Sequence, residues 1–334
     1  MPVTSVGDMA QQFVSMRNSG TIKSDLSRLA QSLSTGRVTD VSATLGGQTT
    51  QLSGINYSLE LNVGYAQIAR ETGMQLSTMQ IMLEKVDAAR SQTSSDLLIL
   101  NNVSTPQQVD VSAAAARGTF ESMVASLNTR LADRSLFGGV ETEGLVLATA
   151  DDMLADLQTA IGGATTTAAI GAAIDFWFDD PAGGYATMGY LGDTGAPVQK
   201  RLSADRVFEI DARADDGAIR DVLKGAAFAA MANDLPAISQ QTKSELLQES
   251  GLRLFASSDG LAAMQSRIGF VEARVEQTTI ELTSQKTALS MAKNDLISAD
   301  PFETASRLSA VQLQLETHYS VTARLSQLSL LGYL

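Results

Sequence analysis

The sequence predicts a mainly α protein, in which long antiparallel coiled helices from both chain ends carry a small α+β, β-rich domain inserted in the middle. Three observations predict it. From Leu254 to Leu296 an apolar residue recurs at every seventh position: Leu254, Leu261, Ile268, Val275, Leu282, Leu289 and Leu296. Such a strict repeat marks one narrow seam on a helix and winds it around a partner. At about 1.5 Å rise per residue the helix is roughly 65 Å long, beyond the ordinary globular range. Residues 1 to about 136 carry apolar stripes at 3/4 spacing, a second long helical zone. Between the two zones, residues 137–230 hold half of the 26 glycines and the single tryptophan, Trp177.

The elements follow in chain order. Met9, Phe13 and Met16, then Ile22, Leu26, Leu29 and Leu33, stripe a first helix on either side of Gly20, and Ser34-Thr35-Gly36 ends it. Gly46-Gly47 marks a second break. A long helix runs from near Gln48 to Leu100, its seam opening with Leu52, Ile55 and Leu59 and closing with Leu76, Met79, Leu83 and Val86. The phase slips between these sets near Gly64 and Gly73, as at a stutter. Thr105-Pro106 starts the next helix with proline at its first position. That helix carries Val109, Ala113, Ala116, Phe120, Met123 and Leu127, and stops before Gly138-Gly139.

In the middle zone, Leu145–Leu147, Phe176–Phe178 and Arg206–Ile210 read as short β runs bounded by turn residues. Most of the net charge of −13 sits in this zone, which predicts a solvent-facing domain. The helical ladder follows, then a break at Asp300-Pro301 and a last helix with Leu308, Val311, Leu315 and Leu325. The chain closes on Leu328-Ser329-Leu330-Leu331-Gly332-Tyr333-Leu334, an apolar end that calls for burial against a partner.

The seam at 254–296 and the seam at 52–86 each lack a partner, and pairing them resolves both deficits. The expected divisions are 1–44, 45–136, 137–234, 235–296 and 297–334. Three residues after the rungs stand Ser257, Met264, Val271, Thr278, Gln285, Ala292 and Ala299, a mixed set whose polar members face either solvent or a further partner.

Composition excludes several function classes. The chain has no cysteine and one histidine, His318, so neither disulfides, thiolate metal sites nor a histidine cluster can form, and no cofactor is expected. Strong acidity argues against nucleic acid, whose phosphates need a basic surface. No run of residues is apolar enough for membrane insertion, and the start Met1-Pro2-Val3-Thr4-Ser5 lacks the pattern of a secretory signal.

Four segments resemble the flagellin superfamily of bacterial axial proteins. Leu26 to Arg37 resembles the end of the family's first helix with its Ser-Thr-Gly turn. Leu136-Phe137-Gly138-Gly139-Val140-Glu141-Thr142 is similar to the Leu-Phe-x-Gly-x-x-Thr step that leaves the helical core. Tyr190-Leu191-Gly192-Asp193 resembles the Tyr-x-Gly-Asp of the later half of the middle domain. The fourth runs from Leu296 to Leu308 and on into the apolar tail. True flagellins follow the turn with Arg-Ile-Asn and then Asp-Asp-Ala; here Val38-Thr39-Asp40-Val41-Ser42-Ala43 stands instead, which favours the hook-filament junction branch over flagellin itself.

The resemblance implies a non-enzymatic, extracellular flagellar subunit that joins hook to filament and is exported by the flagellar type III route without a cleaved signal. Its terminal segments, 1–44 and 297–334, would fold on assembly into an inner tube through Leu26, Leu29, Leu33, Leu325, Leu328, Leu330, Leu331, Tyr333 and Leu334. The implied partners are identical subunits, the first hook-associated protein (FlgK), flagellin, and a cytoplasmic export chaperone on the C-terminal helix. A short flagellin is the alternative within the class. A secreted adhesin or effector binding a ligand at Trp177 is the alternative outside it.

Other motifs weigh little. Ser290-Met291-Ala292-Lys293 matches Ser-x-x-Lys, but the companion Lys-Thr-Gly and Ser-Asp-Asn are missing. Asp179-Asp180-Pro181-Ala182-Gly183-Gly184 lacks the alternating acids and closing glutamate of a calcium loop, and Asp215-Asp216-Gly217 likewise reads as a turn. The sequons at Asn56 and Asn102 sit at or beside helix.

Overall fold

The computed structural model describes residues 4–46, 49–100 and 104–331. It is mainly α, with long helices from both chain ends and small strand pairs between them. The helices are α1 (Thr4–Thr35), α2 (Val41–Thr44), α3 (Thr49–Leu98), α4 (Pro106–Leu127), α5 (Ala150–Ile161), α6 (Thr167–Asp179), α7 (Gly217–Ala230), α8 (Gln240–Ala256), α9 (Ser258–Ile297) and α10 (Pro301–Leu331). The strands are β1 (Arg130–Leu131), β2 (Arg134–Ser135), β3 (Val198–Arg201) and β4 (Val207–Ile210). The chain divides into two compact units, Met1–Val63 with Ser284–Leu334, and Gly64–Thr283.

Local chemistry sets the boundaries. Pro106 opens α4 behind a capping box: the Thr105 hydroxyl accepts from the Gln108 amide, and the Gln108 side chain accepts from the Thr105 amide at 2.8 Å. Two orphan donors of the helix start are thereby satisfied. Thr105→Ala is expected to cost about 1 kcal/mol in urea unfolding, with Thr105→Ser close to neutral. At α5, α6, α7 and α8 the side chains of Thr149, Thr166, Asp216 and Ser239 each accept from one first-turn amide. Ala132 and Asp133 both have positive φ (49° and 60°), the two-residue turn that lets β1 and β2 close as a hairpin.

Three local expectations change. Phe176–Phe178 is not a strand but the last turn of α6. Ile170, Ile174, Trp177 and Phe178 fall at 0, 4, 7 and 8, so helical spacing places all four on one buried face. Of Leu145–Leu147, only Leu147 pairs, in a single bridge to Tyr190. The ladder, expected as one helix, is carried by two, since Leu254 lies on α8 and α9 begins at Ser258. At the break, the Ser257 hydroxyl donates to the Leu254 carbonyl at 2.8 Å. Ser257 keeps φ −75° and ψ −5°, close to helical, so the repeat passes the break without losing its phase. The Arg206–Ile210 run does form β4, antiparallel to β3 with Lys200 opposite Phe208.

In the Gly64–Thr283 unit one core joins α3, α4, the middle residues and the ladder. It contains Leu76, Met79, Leu83 and Val86 together with Phe137, Trp177, Tyr185, Leu254 and Leu261. Alanines 226, 227, 229 and 230 of α7 are fully buried, and small residues let α7 and α8 approach closely. A Cβ on Gly225 would stand 3.1 Å from Leu254.

Candidate assembly surfaces

The Met1–Val63 and Ser284–Leu334 unit is built on the terminal helices. Helices α1 and α10 run antiparallel: Ser15 Oγ meets His318 Nε2 at 3.4 Å near one end, while Arg37 bridges to Ser298 at the other. The two turns leaving the helices are tied to each other, with the Val38 amide donating to Ile297 (2.9 Å) and the Ala299 amide to Gly36 (3.0 Å). Gly36 holds φ +67°, a left-handed helix ending that favours glycine. Asp300 caps α10 by accepting from the Phe302 and Glu303 amides. Lys23 sits 5.7 Å above the Tyr319 ring.

This pairing buries little. Ile22 is buried, Leu26 and Leu29 are half-buried, and Leu33 is exposed. Phe13 is 69% exposed and Phe302 84%, and Met9, Met16, Leu313 and Val321 are also open. Leu325, Leu328, Leu330 and Leu331 fall on the last turns of α10, where side-chain surroundings are outside the described residues, as are Tyr333 and Leu334 altogether. The two helices thus leave a series of large apolar side chains open along their length.

The seam residues divide between the units. Leu52, Ile55, Leu59, Leu289 and Leu296, in the terminal unit, are half-buried. There Asn62 donates to Gln285 at 3.4 Å. In the other unit Leu254, Leu261, Ile268, Val275 and Leu282 are buried, as are Leu76, Met79, Leu83 and Val86. The contacts run antiparallel. Ser94 donates to the Gly251 carbonyl, Arg90 to Leu254 and Gln80 to Gln265, each at 2.8 Å, and a Cβ on Gly73 would stand 3.8 Å from Val275.

Sequence reasoning missed Arg90 in this seam and expected Thr278 to face solvent or a further partner. Stepping by seven from Leu76 and Leu83 reaches Arg90 and then Leu97, so the position was legible although the residue type disguised it. Arg90 is 7% exposed, and Asp87 Oδ1 pairs with its guanidinium at 2.8 Å. Thr278 is also buried and donates to the Arg274 carbonyl one turn back. These groups satisfy hydrogen bonds inside the core rather than facing solvent.

In the middle zone the two motif segments meet. The Asp193 amide donates to Gly138 (2.9 Å), the Leu191 amide to Val146 (2.8 Å) and the Ala214 amide to Phe137 (3.0 Å). Tyr190 Oη donates to the Asp193 carbonyl at 3.0 Å. A Cβ on Gly192 would stand 2.5 Å from that phenol oxygen, so glycine is required there. Trp177 is 2% exposed and donates to Asp156 Oδ2 at 2.7 Å, with Phe178 edge-on at 4.7 Å between centroids. Tyr185 Oη donates to the Ala214 carbonyl. Burial first, and Asp215 second, push the Tyr185 and Tyr190 phenols far above their ordinary range, so both remain protonated donors. An indole closed into a core offers no stacking face, which removes the basis for a ligand platform at Trp177.

The remaining motifs are engaged in helices and turns. Ser290 and Lys293 lie on α9, Asp179 pairs with Lys224 at 2.8 Å, and Asp180 accepts from the Ala182 amide within its own turn. Among the described residues no group of three or more His, Asp or Glu side chains could hold a metal ion. Among them, too, no helix is long and apolar enough to cross a membrane.

Residues 256–334 match the family described as the bacterial flagellin C-terminal helical region. Among curated proteins no sequence matches the chain. Among solved structures, the chain is similar to a flagellar hook-associated protein from Vibrio parahaemolyticus, with TM-score 0.51 and 11% identity, over 74% of this chain and 96% of that one. It is also similar to FlgL from Bacillus cereus, with TM-score 0.48 and 16% identity, over 72% of this chain and 99% of that one. At such identities the Vibrio likeness establishes the fold alone.

Proposed function

We propose that this chain, whose residues 256–334 match the flagellin C-terminal helical region, is a structural subunit of the bacterial flagellum that joins hook to filament. The observation that carries the reading is the antiparallel pair α1 and α10, which leaves Phe13, Met16, Phe302 and Leu313 open along the terminal unit. Identical subunits stacked by a helical operation cover such faces repeatedly, and heterologous contacts of that kind build tubes rather than closed dimers. Ordering of the terminal helices is offset by that burial only when neighbours are present. The ends of the tube meet the first hook-associated protein and flagellin. Before export by the flagellar route, a chaperone covers the C-terminal helix. The chain has no enzymatic role in this reading.

Immunogold labelling of purified flagella tests it. The expected result is a single cluster of label at the hook-filament boundary. Label spread along the filament would favour the short-flagellin reading, which the C-terminal match also supports. Absence of label from hook and filament alike would refute both.

A further inference from the structure

A cavity of about 360 Å³ lies within the Gly64–Thr283 unit, between α3, the β1–β2 hairpin, the loop after it and β3. Its apolar lining includes Met74, Leu131, Val140 and Val198; two cations, Arg134 and Lys200, and one carboxylate, Glu71, line it as well. Lys200 and Val198 alternate on the same half-buried face of β3, so the lysine faces the cavity side of the hairpin.

The two cations outnumber the one acid that lines the cavity, and they lack the ion pairs that several other basic groups form. Arg206 reaches Glu281 at 2.8 Å, Arg213 reaches Asp215 at 3.2 Å and Lys224 reaches Asp179 at 2.8 Å. Among the described residues neither Arg134 nor Lys200 has a carboxylate within ion-pair distance, although the chain carries 37 acidic residues against 24 basic ones. Burial pushes the Lys200 ammonium below its ordinary range and the neighbouring Arg134 charge pushes it further, while Glu71 opposes both. Like charges held together beside an open, partly apolar space are relieved by an anion entering that space.

We propose that this cavity binds a carboxylate carried on a short apolar stem, with Arg134 and Lys200 holding the carboxylate and Met74, Leu131, Val140 and Val198 surrounding the stem. Inorganic phosphate is a poorer match, because it has no hydrocarbon stem to cover the apolar wall. The same chemistry has two sources, a free short-chain acid or an aspartate or glutamate side chain of a neighbouring copy. Only the second source rests on the assembly reading; binding by the isolated subunit does not.

The test titrates hexanoate into the full-length monomer and follows the methyl resonances of Met74 and Val198. Saturable shifts with hexanoate, and none of comparable affinity with hexanol or inorganic phosphate, are expected. The Lys200 titration midpoint should rise when hexanoate is bound, because the anion favours the charged ammonium. Binding should weaken with rising pH earlier than for an ordinary lysine site, since deprotonation of Lys200 removes one of the two cations. Arg134→Gln with Lys200→Gln should weaken binding roughly tenfold or more while leaving the thermal transition in place.

Absence of a saturable shift in the unmodified protein would overturn the proposal, as would equal binding of hexanol or undiminished binding by the double variant. Where hexanoate binds, its effect on self-assembly separates the sources: inhibition identifies a neighbour's carboxylate, and unaffected assembly a free acid. A subunit that binds hexanoate but never assembles or labels flagella would remove the junction reading and keep the site.

Discussion

Trp177→Ala lowers the stability of the Gly64–Thr283 unit by about 3–5 kcal/mol, the range for deleting a large buried aromatic side chain. The indole is 2% exposed and packs against Phe178 and Tyr185. The backbone around it is shaped to the ring. A Cβ on Gly184 would land on the indole Nε1, and one on Gly189 would stand 3.3 Å from its six-membered ring. Neighbours so closely fitted cannot collapse far into the vacated space, which puts the loss toward the upper part of the range. Asp156, half-exposed, turns to water when its donor is lost, so the missing hydrogen bond adds little.

Urea unfolding and thermal melts of Trp177→Ala measure the loss, and Trp177→Phe should recover part of it. Gly184→Ala, which adds a methyl where the indole sits, should be comparably damaging. The unmodified protein provides an independent check, since its only tryptophan should show blue-shifted emission and resist quenching by acrylamide. A Trp177→Ala protein with an unchanged transition, or a freely quenched indole, would refute the closed core.

Removing residues 301–334 is expected to abolish assembly while leaving a folded, soluble monomer. Among the described residues the continuous core of the Gly64–Thr283 unit draws none from α10, and its last member in sequence is Leu282. What α10 provides lies in the terminal unit, where it partners α1 and presents Phe302 and Leu313. The truncated protein should therefore keep the cooperative unfolding transition of the main core and lose only the helix signal of the terminal pair. Cells carrying it should be non-motile. Normal motility would refute the assembly reading, and loss of the main transition would show that the core depends on α10 after all.

The sequence carried the long helices plainly, because a seven-residue repeat is a local property that any stretch of chain displays on its own. Leu261, Ile268 and Val275 mark the buried face of α9, and Pro106 and Pro301 mark helix starts, without knowledge of what packs on them. Short elements were less legible. Phe176–Phe178, taken alone, is a three-residue apolar run with no period, and only the longer window from Ile170 shows the helical face. Arg90 was hidden for the opposite reason: its position in the repeat was regular, but a charged residue reads as solvent-facing unless its partners are known.

Those partners, the Leu254 carbonyl and Asp87, come respectively from another helix and from one turn away. Hydrogen bonds between segments distant in sequence decide such cases, as they do for the meeting of Gly138 with Asp193. The same holds for Arg134 and Lys200, ordinary basic residues in sequence that the fold sets beside one cavity with Glu71 as the one acid of its lining. Helix periods, caps and breaks are written locally, in spacing and backbone preference. Which polar groups are buried and satisfied, which apolar faces stay open and which charges share a cavity depend on long-range proximity, which no local pattern specifies.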